Sequence, residues 1–181
     1  MNNPIYLLTF VAALGSGLVA GIFFAFSNFV MKALARIPHG IAAMQSINIV
    51  VLNGWFFAVF FGTAVCCLAL AISSFVRWQK PGAGYLLVGS LLYLIGTILV
   101  TIACNVPLND ALAAVDPSSA DAGRVWTNYL KNWTMCEQSP HWPQQLHLSL
   151  AFVTPVHKLS REEVSPRRAR TIVRFHEASN Y

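Results

Sequence analysis

The stretch "AGYLLVGSLLYLIGTILVTIACNVPLNDAL", Ala83–Leu112, decides how the rest of the chain is read. From Ala83 to Cys104 it carries no charged side chain, and that length meets the need for about 20 apolar residues to cross a hydrocarbon core. Lipid offers no water to the backbone, so such a run is expected as a helix. Working outward, Ile5–Met31 and Val51–Val76 are equally free of charge. The expected fold is therefore all-α, an integral membrane helical bundle with spans at about 5–31, 51–76 and 83–104.

Composition agrees with this reading. Apolar residues make up 56% of the chain and charged ones 10%, against roughly 25% charged in soluble domains. The first acidic residue is Asp110, and before it the only basic ones are Lys32, Arg36, Arg77 and Lys80. These four mark where the chain leaves lipid. The first pair and the second pair lie on opposite sides and balance, so orientation is weakly determined. A cytoplasmic N-terminus is expected, with Asp110, Asp116 and Asp121 outside. The first span is too long for a signal-peptide core and lacks a basic leader, so it is expected to stay uncleaved.

Half of the twelve Lys and Arg residues lie between Lys158 and Arg174. A basic tail on a membrane protein meets water or anionic headgroups, and nucleic acid is not an expected partner. Cys66, Cys67, Cys104 and Cys136 show no C-x-x-C spacing. They read as small hydrophobes, not as a disulfide frame or a zinc site.

Between the first two spans, Ile37, Ile41, Met44, Ile47 and Val51 fall at helical spacing with Gln45 and Asn48 on another face, a short amphipathic lead-in. Pro107 disfavours helix at Val106 and removes a donor, so the third span is expected to stop near Asn105. Asp116 followed by Pro117 reads as a helix start. The amphipathic helix it opens, about 117–134, places Trp126, Tyr129, Leu130 and Trp133 on one stripe, an interfacial belt, a packing face or a ligand platform. After Met135 the text turns polar and basic. Residues 136–181 are expected as a divergent, poorly ordered tail without a span.

Two patterns inside the spans bear on function. Ala13, Gly17, Gly21 and Ala25 recur every four residues, a small-xxx-small stripe that admits a neighbouring backbone. Tyr93, Thr97 and Thr101 step by four towards Asn105. They form either a face that bonds to its own helix or a polar seam facing the bundle interior, to which Ser27, Asn28, Gln45, Asn48 and Asn53 could add. No carboxylate lies within the spans, so no Asp or Glu proton relay is expected there. His39 reads as a loop residue. His141, His147, His157 and His176 fit no familiar metal spacing. No metal and no cofactor is expected.

Four ordered strings, "GLVAGIFFAFSNFVMKAL", "GIAAMQSIN", "NVPLNDALA" and "WTNYLKNWT", together resemble a family of small four-helix membrane proteins that includes the anthrone oxygenases, over about residues 5–134. The resemblance implies a bundle of four membrane helices. It also implies, for characterised members, oxidation of a tricyclic anthrone to an anthraquinone without metal or flavin. Carried over by position, the polar residues are Asn28, Arg36, Gln45, Asn48, Asn105, Asn109, Trp126 and Trp133. With Tyr93 and Thr97 they are the candidate substrate-binding residues. No catalytic residue is assigned.

The family continues past "WT" through a Trp-Asn segment with a nearby Arg and into a fourth span, and "WTMCEQSPHW" stands there instead. A reading-frame shift after Met135 is therefore expected, and with it an uncovered seam, weak stability or self-association. The expected function is that of a multi-pass protein of the cell (inner) membrane without an assigned reaction. The alternative is a cofactor-independent oxygenase for a hydrophobic polycyclic phenol. Expected partners are the lipid bilayer, a hydrophobic aromatic small molecule and a second copy of the chain. Solute transport ranks lower, because no charge or broken helix lies mid-membrane.

Overall fold

The computed structural model describes residues 4–138, and every regular element among them is helical. Three long apolar helices run over Pro4–Leu34, Gly54–Val76 and Ala83–Ala113, each long and apolar enough to cross a membrane. The tail histidines and the polar segment beyond Gln138 lie outside the described residues.

The first long helix joins α1 (Pro4–Ala25), a π turn (Phe26–Val30) and α2 (Met31–Leu34). Gly40 then opens α3 (Gly40–Val50), and a Cβ there would land on the Leu34 carbonyl. That close approach needs glycine. Asn53, placed in the seam by the sequence reading, is instead the N-cap of α4 (Gly54–Val76): its Oδ1 accepts from the Phe56 N–H at 3.0 Å. Its short side chain satisfies a donor that the first helical turn leaves free.

Gly82, at φ 88°, turns the chain into α5 (Ala83–Leu91). Two further π turns follow, Leu92–Leu99 and Thr101–Asn105, and then α6 (Val106–Ala113). Here the structure departs from the expected stop at Asn105, since the helix runs on to Ala113. Pro107 falls in the first turn of α6, directly after the π turn. A wider turn shifts the hydrogen-bond register, and a proline so placed is accommodated.

The expected start at Asp116–Pro117 is also displaced. Asp116 Oδ1 accepts from the Ser118 N–H at 2.9 Å and from the Ser118 hydroxyl at 2.7 Å, which closes a local turn. Those hydrogen bonds hold the Asp116 carboxyl below its ordinary pKa. The helix itself, α7, begins at Ala122 and runs to Gln138.

α1 packs along α4, and α4 along α5. Their shared core holds Ala12, Val19 and Phe23 with Phe60, Cys67 and Leu70, and Leu86 with Tyr93 on the third helix. The close contact between α1 and α4 falls at Gly15, where a Cβ would land on the Thr63 hydroxyl. The small-residue stripe points elsewhere: a Cβ on Gly17 or Gly21 meets nothing within 4 Å. A four-residue step drifts about 40° round a helix per repeat, and this one drifts off the buried face. Leu18, Val65, Leu68, Phe75 and Ile95 are exposed, as lipid-facing side chains are.

One cysteine reading is corrected. Cys104 and Cys136 are joined as a disulfide, with Cα atoms 6.4 Å apart. The reversal from α6 into α7 brings together residues separated by 32 in sequence, which spacing alone does not show. Cys66 and Cys67 stay free on α4.

Candidate functional site

α3, α6 and α7 meet at the end of the third helix, and polar and aromatic side chains concentrate there. Gln45 on α3 donates from Nε2 to the carbonyls of Leu112 (2.9 Å) and Val115 (2.8 Å). Those carbonyls lie in the last turn of α6 and just beyond it, where helix acceptors run out of backbone partners. One amide thus pins two elements that are 67 and 70 residues away in sequence.

The centre of this corner is Tyr129, which is 2% exposed. Its hydroxyl donates to Asn109 Oδ1 at 2.8 Å, tying α7 to α6. Burial pushes the phenol up to about 12, and the Asn48 side chain beside it acts in the opposite direction. Asn48 Nδ2 is buried but has no acceptor in full hydrogen-bond geometry, so its contact with the phenol is a weak one. Trp126 stacks on Tyr129 with ring centroids 5.6 Å apart and planes 12° apart. A Cβ on Gly40 would stand 3.3 Å from the Trp126 ring, so the indole lies over the start of α3. Trp133 is buried against Phe26 at 5.9 Å, which brings α7 onto the first π turn.

A second polar group lies deeper. Tyr93 donates to the Phe60 carbonyl of α4 at 2.9 Å, and the Thr63 hydroxyl interacts with the same phenol. Thr97 and Asn105 are buried on the same helix. Tyr93 and Thr97 sit on one π turn and Asn105 ends the next. Such turns widen a helix and are frequent at functional sites.

The ten candidate residues therefore divide. Gln45, Asn48, Asn109, Trp126 and Trp133 gather at the α3–α6–α7 corner, and Tyr93, Thr97 and Asn105 line the third helix. Asn28 and Arg36 are exposed and join neither group. A cavity of about 540 Å³ is an open groove between the third helix, at Val100, Cys104 and Leu108, and the end of α7, at Asn132, Met135 and Cys136, and the Cys104–Cys136 disulfide joins its two walls.

The chemistry of the corner is that of neutral donors and acceptors. Amides and a phenol with its pKa near 12 orient a polar ligand but take no proton at neutral pH. Among the described residues no group of three or more His, Cys, Asp or Glu side chains is placed to hold a metal ion.

Comparison with known families gives one match. Residues 55–137 match the model of the anthrone oxygenase family. The matched stretch holds all but one residue of α4 and of α7 and the whole third helix, and with them Tyr93, Thr97, Asn105, Asn109, Trp126, Tyr129 and Trp133. Asn28, Arg36, Gln45 and Asn48 lie before it. No curated protein and no solved structure matches the chain.

Sequence reasoning placed Tyr129 on the aromatic stripe but not among the site residues. The available signal was chemical, since it is the one stripe member with a hydroxyl. Thr63 gave no signal, because its role depends on which helix α4 faces. The π turns gave none either.

Proposed function

We propose that this chain is a multi-pass protein of the cell (inner) membrane that binds a hydrophobic polycyclic phenol at the α3–α6–α7 corner. The observation that carries the reading is the buried Tyr129–Asn109 hydrogen bond beneath Trp126. It combines flat aromatic surface with a fixed polar group, as ligand sites for amphipathic rings do.

Oxygenation of an anthrone-type substrate is the reaction supported by the family match. In that reaction the ring CH2 and O2 become a carbonyl and water, one oxygen atom going to each. An ionised anthrone reacts with oxygen directly, so the protein's part is to bind, ionise and orient it. The corner supplies orientation. Among the described residues its buried side chains include no carboxylate or imidazole, Asp110 and His39 standing exposed at its edge, so the rate is expected to follow the ionisation of the substrate itself.

A second reading is an accessory membrane component without its own reaction. It is favoured by Tyr93, whose hydrogen bond to the Phe60 carbonyl ties the third helix to α4. Oxygen uptake by the purified full chain in lipid vesicles, with an anthrone added, separates the two. Uptake above protein-free vesicles, reduced by Trp126→Ala, supports the oxygenase. Uptake equal to that of empty vesicles removes it for this substrate class and leaves the accessory reading.

A further inference from the structure

α7 is tied to the third helix and its continuation at two places, by bonds of different kinds. Near the turn, the Tyr129 hydroxyl donates to Asn109 Oδ1 at 2.8 Å, beside the stacked Trp126. About two helical turns further on, the disulfide joins Cys136 to Cys104. Between those ties Trp133 rests on Phe26 of the first helix. Past Trp133 the walls stand apart: the groove of about 540 Å³ opens between Val100 and Leu108 on one side and Asn132 and Met135 on the other, and Met135 is exposed. Side chains facing open space have no partner atoms to attract. At this end of α7 the attachment therefore rests on the covalent bond.

The bond is also within reach of a reagent. Cys104 and Cys136 are both half-buried, and both line the open groove. Accessible disulfides are the labile and regulatory ones. The remaining cysteines, Cys66 and Cys67, are free on α4, so a reductant has this one bond to break.

We propose that the Cys104–Cys136 disulfide is a reversible redox clasp, opened by a dithiol, that decides whether the far end of α7 is held on the third helix or swings free about the Tyr129–Asn109 tie. Opening is a thiol–disulfide exchange. One thiolate of the dithiol attacks a sulfur of the pair, the S–S bond breaks, and the other cysteine leaves as a thiolate that takes up a proton. The second thiol of the reagent then displaces the protein sulfur from the mixed disulfide. The chain gains two thiols and the dithiol becomes its own disulfide, so electrons and protons balance. Tyr129, Asn109 and Trp126 take no part in the exchange, so α7 pivots and the groove widens at its far end. The clasp does not depend on the oxygenase reading, since its tests use no substrate.

Two exposed basic residues on α7 read the two ends separately. Arg124 lies on the turn side of Tyr129, and Lys131 lies between Tyr129 and Cys136. Trypsin cleaves after Lys131 only when that end of the helix opens locally. The full chain in lipid nanodiscs is either oxidised with diamide, or reduced with dithiothreitol and freed of it without air. Unfolded in denaturant, the oxidised chain is expected to take two maleimide labels and the reduced chain four, one for each thiol. Four labels in both overturn the clasp. Reduction is expected to speed cleavage after Lys131 about tenfold and to leave cleavage after Arg124 unchanged, and renewed diamide restores the slow rate. Cys136→Ser should cleave at the fast rate with or without diamide. Equal rates after Lys131 in the two states overturn the proposal. So does equal acceleration at both sites, which marks a bond that only holds the fold together.

Discussion

The α1–α4 interface and the α3–α6–α7 corner are both tightly packed, but by different means. Mid-membrane, close approach comes from absence: Gly15 has no side chain, and Thr63 fills the place. At the corner it comes from presence, where Gln45, Asn109 and Tyr129 bind segments that share no continuous hydrogen-bonded backbone. In lipid, burial gives helices no net hydrophobic gain, so packing between small residues holds them. Near the membrane surface, where α6 ends and the chain turns, free carbonyls need partners, and amides supply them.

The largest effect is expected at the first of these. Gly15→Val forces a branched side chain onto Thr63 and should destabilise the protein by about 2–3 kcal/mol, as overpacking does. Thermal unfolding in detergent measures it, and Thr63→Ala in the same chain should recover part of the loss. Without that recovery, the close approach is not what limits the interface.

Next comes the pH response of the corner. Tyr129 holds a pKa of about 12 when folded, against about 10 in an unfolded chain. The folded state therefore favours the neutral phenol. Its stability is unaffected below pH 10 and declines as pH rises from 10 to 12. The loss is about 2–3 kcal/mol, at 1.36 kcal/mol for each pKa unit. Tyr129→Phe should weaken this alkaline decline while costing about 1 kcal/mol at pH 7 through the lost bond to Asn109. An unchanged decline in Tyr129→Phe assigns it to other groups.

Gln45→Ala releases two carbonyls at the end of α6 and should cost about 1–2 kcal/mol. The visible consequence is local, namely faster protease cleavage between residues 114 and 121. Even cleavage rates in the two chains would show that α6 is held by other contacts. At the small end, Gly17→Ala and Gly21→Ala add a methyl group into open space. Each should shift stability by no more than about 0.5 kcal/mol. A large loss at either would place a packing partner on that face.

The spans were legible because membrane helices announce themselves in one dimension: length and absence of charge suffice. Helix details were less legible where local and tertiary signals compete. Pro107 reads as a stop on its own, yet the π turn ahead of it carries the helix through to Ala113. Asp116 reads as a helix cap, yet it bonds within its own turn. In the candidate site, Gln45, Asn48, Asn109, Trp126 and Trp133 were found one by one from their types and the family resemblance. That they form a corner was not in the sequence.

By itself the sequence determined an all-helical protein with three membrane-spanning segments, a likeness to the anthrone oxygenases, and a break in character after Met135. Each follows from properties that run along the chain. Only the tertiary structure decided that Gly15 rather than Gly17 or Gly21 meets a neighbour, that Tyr129 is the buried phenol of the corner, and that Arg36 stays outside it. Those depend on how helices rotate against one another. A turn of a few tens of degrees moves a side chain from lipid to core and leaves hydropathy unchanged.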